Sequence, residues 1–264
     1  MIVWLDNIFA LLLSYLLINY MYVTFLVHGL YKIYCGEYSI RRIKYCINSK
    51  DIEELKTIAI DSVGLIPNNP IFSGKNLDNK IVLIIYHKNK PVGFNIMFDY
   101  EYENEKCLHL GLVLINKNYQ DKKLQVFSKY NIIPYMFENI CRDIYITDIG
   151  RSALGLKLFN QGIKNSYPNL INNTLPTQFY KKLFKYFVNT FKEDTQIAIN
   201  AIGDDDSFIV YKSNNNNGGA NYLVEFNKST VSKDEKYNKY INDNLDIEDE
   251  VISIGKVNML TLLF

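Results

Sequence analysis

The longest apolar run in the chain, Asn7 to Tyr31 (NIFALLLSYLLINYMYVTFLVHGLY), holds 25 residues without an Asp, Glu, Lys or Arg. As a helix rising about 1.5 Å per residue it would reach roughly 37 Å, enough to cross a hydrocarbon core about 30 Å thick. The run therefore predicts a transmembrane anchor inserted in a lipid bilayer. The chain opens MIVWLD, with no basic leader and no small-x-small exit after the run, so a cleaved signal peptide is the poorer reading. A long core helix of a soluble domain is the alternative, because Tyr15, Asn19, Tyr20, Tyr22 and His28 dilute the hydrophobicity. Lys32, Arg41, Arg42, Lys44 and Lys50 follow the run, whereas Asp6 alone precedes it. This bias predicts a single-pass protein with its C-terminal domain cytoplasmic. The expected organisation is an anchor over 1–34, a basic juxtamembrane linker over 35–50 able to rest on anionic head groups, an α/β domain over 51–200, and an extension over 201–264 that completes or covers its sheet.

Beyond residue 50 the pattern alternates between the helical and the strand period. Asp51 to Ile66 places Ile52, Leu55, Ile58, Ala59 and Val63 near one face behind an acidic first turn, predicting an amphipathic helix. Ile81 to His87 and Pro91 to Tyr100 are β-branched or aromatic runs joined by Lys88-Asn89-Lys90, which predicts a hairpin. Cys107 to Ile115 is a third strand, Leu124 to Cys141 a helix, and Asp143 to Ile149 a fourth strand, parallel to the third because a crossover helix separates them. Ser152 to Gln161 is a short helix closed by Gly162. Later segments predict a helix over Gln178 to Phe191 with an aromatic core stripe, a strand over Tyr222 to Phe226, and a last strand over Val251 to Phe264 that returns to the sheet.

Composition narrows the function classes. With 48% hydrophobic residues, 21 Tyr and 15 Phe the chain can bury a sizeable core, and a net charge of +1 gives no sign of a nucleic-acid partner. Cys35, Cys46, Cys107 and Cys141 form no C-x-x-C pair and read as reduced thiols. The sequons at Asn172 and Asn227 would go unused in a cytosolic domain. Asp204-Asp205-Asp206 lacks the alternate spacing of a calcium loop and reads as a solvated turn. Three scattered histidines, and the absence of a P-loop, G-x-S-x-G elbow or H-E-x-x-H motif, leave hydrolase and metal chemistry without support.

Pro91 to Ile163, within a match running over about residues 81–168, resembles the core of the GCN5-related N-acetyltransferase (GNAT) fold: a strand opening PVGF, a central strand HLGLVLI, a polar loop KNYQDKKLQ leading into a helix, the strand IYITDI and the segment GLKLFNQGI. The resemblance implies an α+β mixed sheet flanked by helices, a central strand that splays from its neighbour, and a loop after it whose backbone meets the acetyl-CoA pyrophosphate. On that footing Asn118, Gln120, Asp121, Lys122, Lys123 and Leu124 are the cofactor-binding candidates. Asp121 and Lys123 stand where the family carries glycines, and an Asp there repels phosphate while Lys122 and Lys123 can offset it. The family's proton-donating Tyr corresponds to Phe159, which donates nothing. The titratable candidates that remain are His109 and Asp148 as bases and Tyr167 as acid.

The expected function is a membrane-anchored, acyl-CoA-dependent N-acetyltransferase acting on an amine of a small molecule or protein, with acetyl-CoA as donor. Two alternatives stay open. One is a GNAT-like scaffold that has lost the phosphate cradle, and the other an unrelated α/β domain that would lack the splay between 107–115 and 143–149.

Overall fold

The computed structural model describes residues 33–35, 37–45, 47–64, 72, 77–122, 129–139, 142–163, 165–214 and 231–258. The uncharged run Asn7 to Tyr31 and the strand predicted over Tyr222 to Phe226 lie outside them, whereas residues 33–34, predicted as the end of an anchor over 1–34, open a strand, Ile33–Cys35. No helix among the described residues is long and apolar enough to cross a membrane.

The described residues build an α+β fold around a mixed 11-stranded sheet. Its strands are β1 (Ile33–Cys35), β2 (Tyr38–Lys44), β3 (Ile81–His87), β4 (Lys90–Tyr102), β5 (Glu105–His109), β6 (Val113–Ile115), β7 (Ile144–Gly150), β8 (Asn165–Tyr167), β9 (Ile202–Asp204), β10 (Ile209–Tyr211) and β11 (Glu250–Val257). The sheet order is β1-β2-β3-β4-β5-β7-β11-β10-β9, with β6 continuing along β4 and β8 along β11. Helices α1 (Ser49–Val63) and α4 (Gln178–Thr190) cover one face; α2 (Lys129–Glu138), α3 (Ala153–Gly162) and α6 (Glu235–Asn244) cover the other. The short α5 (Lys192–Thr195) follows α4.

Local chemistry explains these elements. Asn48 caps α1 through the Asp51 N–H while the Asp51 carboxylate accepts the Asn48 N–H, and Gly64 closes the helix in the left-handed conformation. Lys88-Asn89 and Glu103-Asn104 both carry positive φ, giving two tight hairpins, β3–β4 and β4–β5. The aromatic stripe of α4 is core, as its periodicity predicts: Leu183, Phe184 and Phe187 pack on Phe98, Tyr145, Ile252 and Ile254. Phe159 is likewise buried, between α3 and the sheet.

Residues 35–50 do not form a linker. Tyr38–Lys44 is a full strand paired with β3, and its charges are spent inside the fold. Arg41 forks onto Asp51 at 2.7 and 3.1 Å, while Arg42 and Lys44 share the two oxygens of Glu138 on α2 at 3.2 and 2.5 Å. Spacing alone does not distinguish such a strand from a solvated basic flank, because the partners lie far away in sequence.

The third predicted strand is broken in two. His109 pairs with Phe98 and Val113 with Asn95, so that Leu110, Gly111 and Leu112 stand opposite Met97 and Ile96, a one-residue bulge. Gly111 takes φ +54, and a Cβ there would lie 2.2 Å from the Ile96 carbonyl oxygen. Replacing it therefore combines left-handed strain with a backbone clash. Gly111→Ala is expected to lower stability by more than about 2 kcal/mol, read as a lower urea midpoint. An unchanged midpoint would mean that the bulge is not constrained in this way.

Candidate functional site

The bulge decides where the sheet opens. β5 and β7 run parallel from Lys106↔Ile144 to His109↔Thr147, and the last bond between them is Leu110 N–H to Thr147 O at 2.9 Å. In a continued parallel ladder the Leu110 carbonyl would next accept from the Ile149 N–H. Instead the buried Asn95 side chain donates to Leu110 O at 2.8 Å, with Leu112 O at 3.4 Å. From there β6 pairs with β4, and Asp148 to Gly150 pair with β11. Among the described residues no strand occupies the edges of β6 and late β7 that would otherwise face each other. The splay implied by the resemblance is present, in the expected place.

Asp148 is the first residue of β7 beyond the parting. It alternates with Ile144 and Ile146, so it lies on the face covered by α2 and α3. Burial pushes its carboxyl up to about 7; the Ile149 N–H works against this and nearby Glu250 adds to it. A carboxyl half-protonated near neutrality can accept a proton at pH 7 and release it again. Holding it there is a cost to the fold, since the unfolded carboxyl ionises near 3.8. Glu250 is itself raised by burial and accepts a hydrogen bond from Ser213 Oγ at 2.5 Å.

The three catalytic candidates do not share one site. His109 is 2% exposed on the opposite face, beneath α4, against the rings of Phe98 and Phe187, with Nδ1 3.2 Å from Thr147 Oγ1. Burial, followed by the charge of Lys80, drives its imidazole down to about 3, so it is neutral at physiological pH. Lys80 is buried too, paired with Asp194 and 4.0 Å from the Phe98 ring centroid. Tyr167 lies on the His109 face, packed on Phe208, and donates its hydroxyl to Asp206 O at 2.7 Å. Cys107 is buried, its thiol pushed up to about 12 by desolvation. It is not a nucleophile.

The cofactor candidates fall on a 3-10 turn, Lys117–Lys122, that follows β6 directly. Asn118 donates its N–H to Asn116 Oδ1 at 3.0 Å, and the Gln120 amide turns back onto Ile115 O at 3.2 Å. Both are thus committed to the turn's own structure. Asp121 and Lys122 end the turn; Lys123 and Leu124 lie outside the described residues. Two contributors invisible to motif reasoning are Asn95, which holds the bulge carbonyls, and Asn116, which bonds Asp61 Oδ2 at 2.8 Å and so ties the turn to α1. An Asn in the middle of an apolar strand, FNIMF, is the signal that could have found the first.

The unfolded imidazole binds its proton near 6.5 and the folded one only near 3. The corresponding stabilisation is complete above about pH 6.5 and is lost as pH falls toward 3. Relative to the parent protein, His109→Gln is expected to flatten the loss of unfolding free energy between pH 6.5 and 5 by about 2 kcal/mol, measured by urea titration at each pH. Parallel pH profiles would show that His109 does not carry this dependence.

No family model and no curated protein sequence matches the chain. Among solved structures it is similar to a GNAT family acetyltransferase from Elizabethkingia anophelis with acetyl-CoA bound (8% identity, 84% of this chain and 100% of that one, TM-score 0.40). It is also similar to a ribosomal-protein alanine N-acetyltransferase from Escherichia coli (10% identity, 83% and 95%, TM-score 0.41) and to a GNAT family acetyltransferase from Streptococcus pneumoniae (17% identity, 49% and 87%, TM-score 0.36). At these identities and scores the likeness carries no argument for the site, whose description rests on the geometry above.

Proposed function

We propose that the chain is an acyl-CoA-dependent N-acetyltransferase-like protein whose donor site is the opening between β6 and β7. The observation that carries this reading is the combination of two strand edges that no strand joins among the described residues and a carboxyl poised near neutrality at the point where they part. An acyl-CoA fits such an opening in kind: its extended pantetheine arm carries amides that can pair with strand edges, and its pyrophosphate calls for positive charge at the turn after β6. On this reading the charge would come from Lys122 and Lys123, which follow β6 in the sequence. Bound there, the donor supplies the thioester whose acyl group is transferred.

The chain's own part is then proton and position. Asp148 would take a proton from the acceptor amine as its nitrogen bonds the acyl carbon and the thioester C–S bond breaks, the released sulfur taking its proton from water. His109 and Tyr167 have no part in this scheme; they hold the sheet and α4 together. The acceptor is an amine of a small molecule or protein. A second reading, a GNAT-like scaffold without donor affinity, draws on Asp121 and Lys123 in place of glycines and on the commitment of Asn118 and Gln120 to the turn. For Asn7 to Tyr31 we propose a bilayer anchor with the folded domain on the cytoplasmic side; the uncharged run supports it.

Calorimetric titration of the full-length chain in detergent with acetyl-CoA tests the donor site. Micromolar binding, weakened at least tenfold by the double variant Lys122→Ala/Lys123→Ala, is expected; a folded protein that gives no heat would favour the scaffold. With an acceptor amine in hand, Asp148→Asn is expected to cut the acetylation rate by about 10²-fold or more while raising the urea midpoint at pH 7, because it removes a carboxyl held at a cost. A variant with unchanged rate would dismiss Asp148 as the base.

A further inference from the structure

The turn Lys117–Lys122 contains no glycine, yet it is held from outside by a chain of side chains belonging to the β2–β3–β4 end of the sheet. Tyr119, in its centre, packs beside Ile40, Leu83, Ile85, Val92 and Ile115. Its hydroxyl lies 3.1 Å from His87 Nδ1, and His87 Nε2 lies 2.9 Å from Glu37 Oε2. The second Glu37 oxygen is 3.0 Å from Lys88 Nζ. The His87 ring makes tilted contacts at centroid distances of 5.0 Å with Tyr38 and 5.4 Å with Tyr119. Contact with His87 and Lys88 holds the Glu37 carboxyl below its ordinary value, so it is an acceptor only. In the neutral ring the proton therefore sits on Nε2 facing Glu37, which leaves Nδ1 to accept from the Tyr119 hydroxyl. Each member of the chain has one role in this arrangement, and the arrangement ends on the turn.

We propose that Glu37 and His87 are positioning residues for the donor turn, acting through Tyr119, so that a clamp from outside orders the backbone that glycines would otherwise shape from within. This rests on the acyl-donor reading above. The geometry supports a through-turn effect: Tyr119 donates its backbone N–H to Asn116 O at 2.8 Å, and Asn116 is itself bonded to Asp61 of α1. The turn is thus pinned between the hairpin and α1. Preorganisation of this kind lowers the ordering cost of binding without adding a contact to the ligand.

The test combines two readouts on the full-length chain: amide hydrogen exchange over 117–122 without ligand, and acetyl-CoA affinity by calorimetry. His87→Ala and Tyr119→Phe are each expected to speed exchange in the turn about tenfold and to raise the acetyl-CoA Kd about tenfold. The double variant is expected to be no worse than either single one, and His87→Gln, whose amide can both accept from Tyr119 and donate to Glu37, is expected to recover part of both effects. Unchanged exchange in the turn would overturn the clamp even if acetyl-CoA binds the parent protein. Faster exchange with an unchanged Kd would overturn the positioning role. Faster exchange in the variants together with no acetyl-CoA heat from any form would instead sink the donor reading, and the positioning role with it.

Discussion

One extra residue in one strand sets the geometry of this protein's candidate site. With three residues, Leu110 to Leu112, opposite two, the central strand bends, and only a residue free to adopt positive φ without a Cβ can stand at Gly111. The bend carries β6 along β4 and away from β7. Asn95 completes the break by satisfying the Leu110 carbonyl that the parallel ladder would have used. Without that side chain the carbonyl would be left unpaired or the ladder would tend to close, since a buried backbone acceptor without a partner is costly.

The electrostatics of the two faces differ in purpose. Beneath α4 the titratable groups are silenced: His109 is kept neutral, Lys80 is neutralised by Asp194, and Cys107 stays a thiol. Across the sheet, Asp148 is raised only to the range where it can exchange a proton. The Arg42–Glu138–Lys44 group ties β2 to α2, and Arg41–Asp51 ties β2 to α1, so β2 is cross-linked to both faces of the fold.

Much of the architecture was legible because local signals agreed with the global fold. The amphipathic helix with its acidic first turn after residue 50, the Lys88-Asn89 turn, the α4 aromatic stripe and the parallel placement of the strands that begin at Cys107 and Asp143 were all readable from period and turn chemistry. The parting of those two strands was readable only through the family resemblance. Its cause was not, because it depends on Asn95 reaching across to carbonyls fifteen and seventeen residues away. For the same reason Tyr38–Lys44 reads as part of a basic linker: β3, which pairs it into the sheet, and Asp51 and Glu138, which take its charges, are supplied by other elements. The candidate bases were legible as residue types but not as neighbours. Strand alternation places His109 and Asp148 on opposite faces once the register is known, and register is what a single sequence specifies least.

On the proposed function, the parting of β6 from β7 is a ligand slot and not a packing irregularity. Amide hydrogen exchange of the full-length chain with and without saturating acetyl-CoA tests it most directly. Slower exchange on both edges, at Gly111 to Leu114 and at Ile149 to Gly150, is the result this account predicts. Binding that protects neither edge would place the donor elsewhere and contradict it.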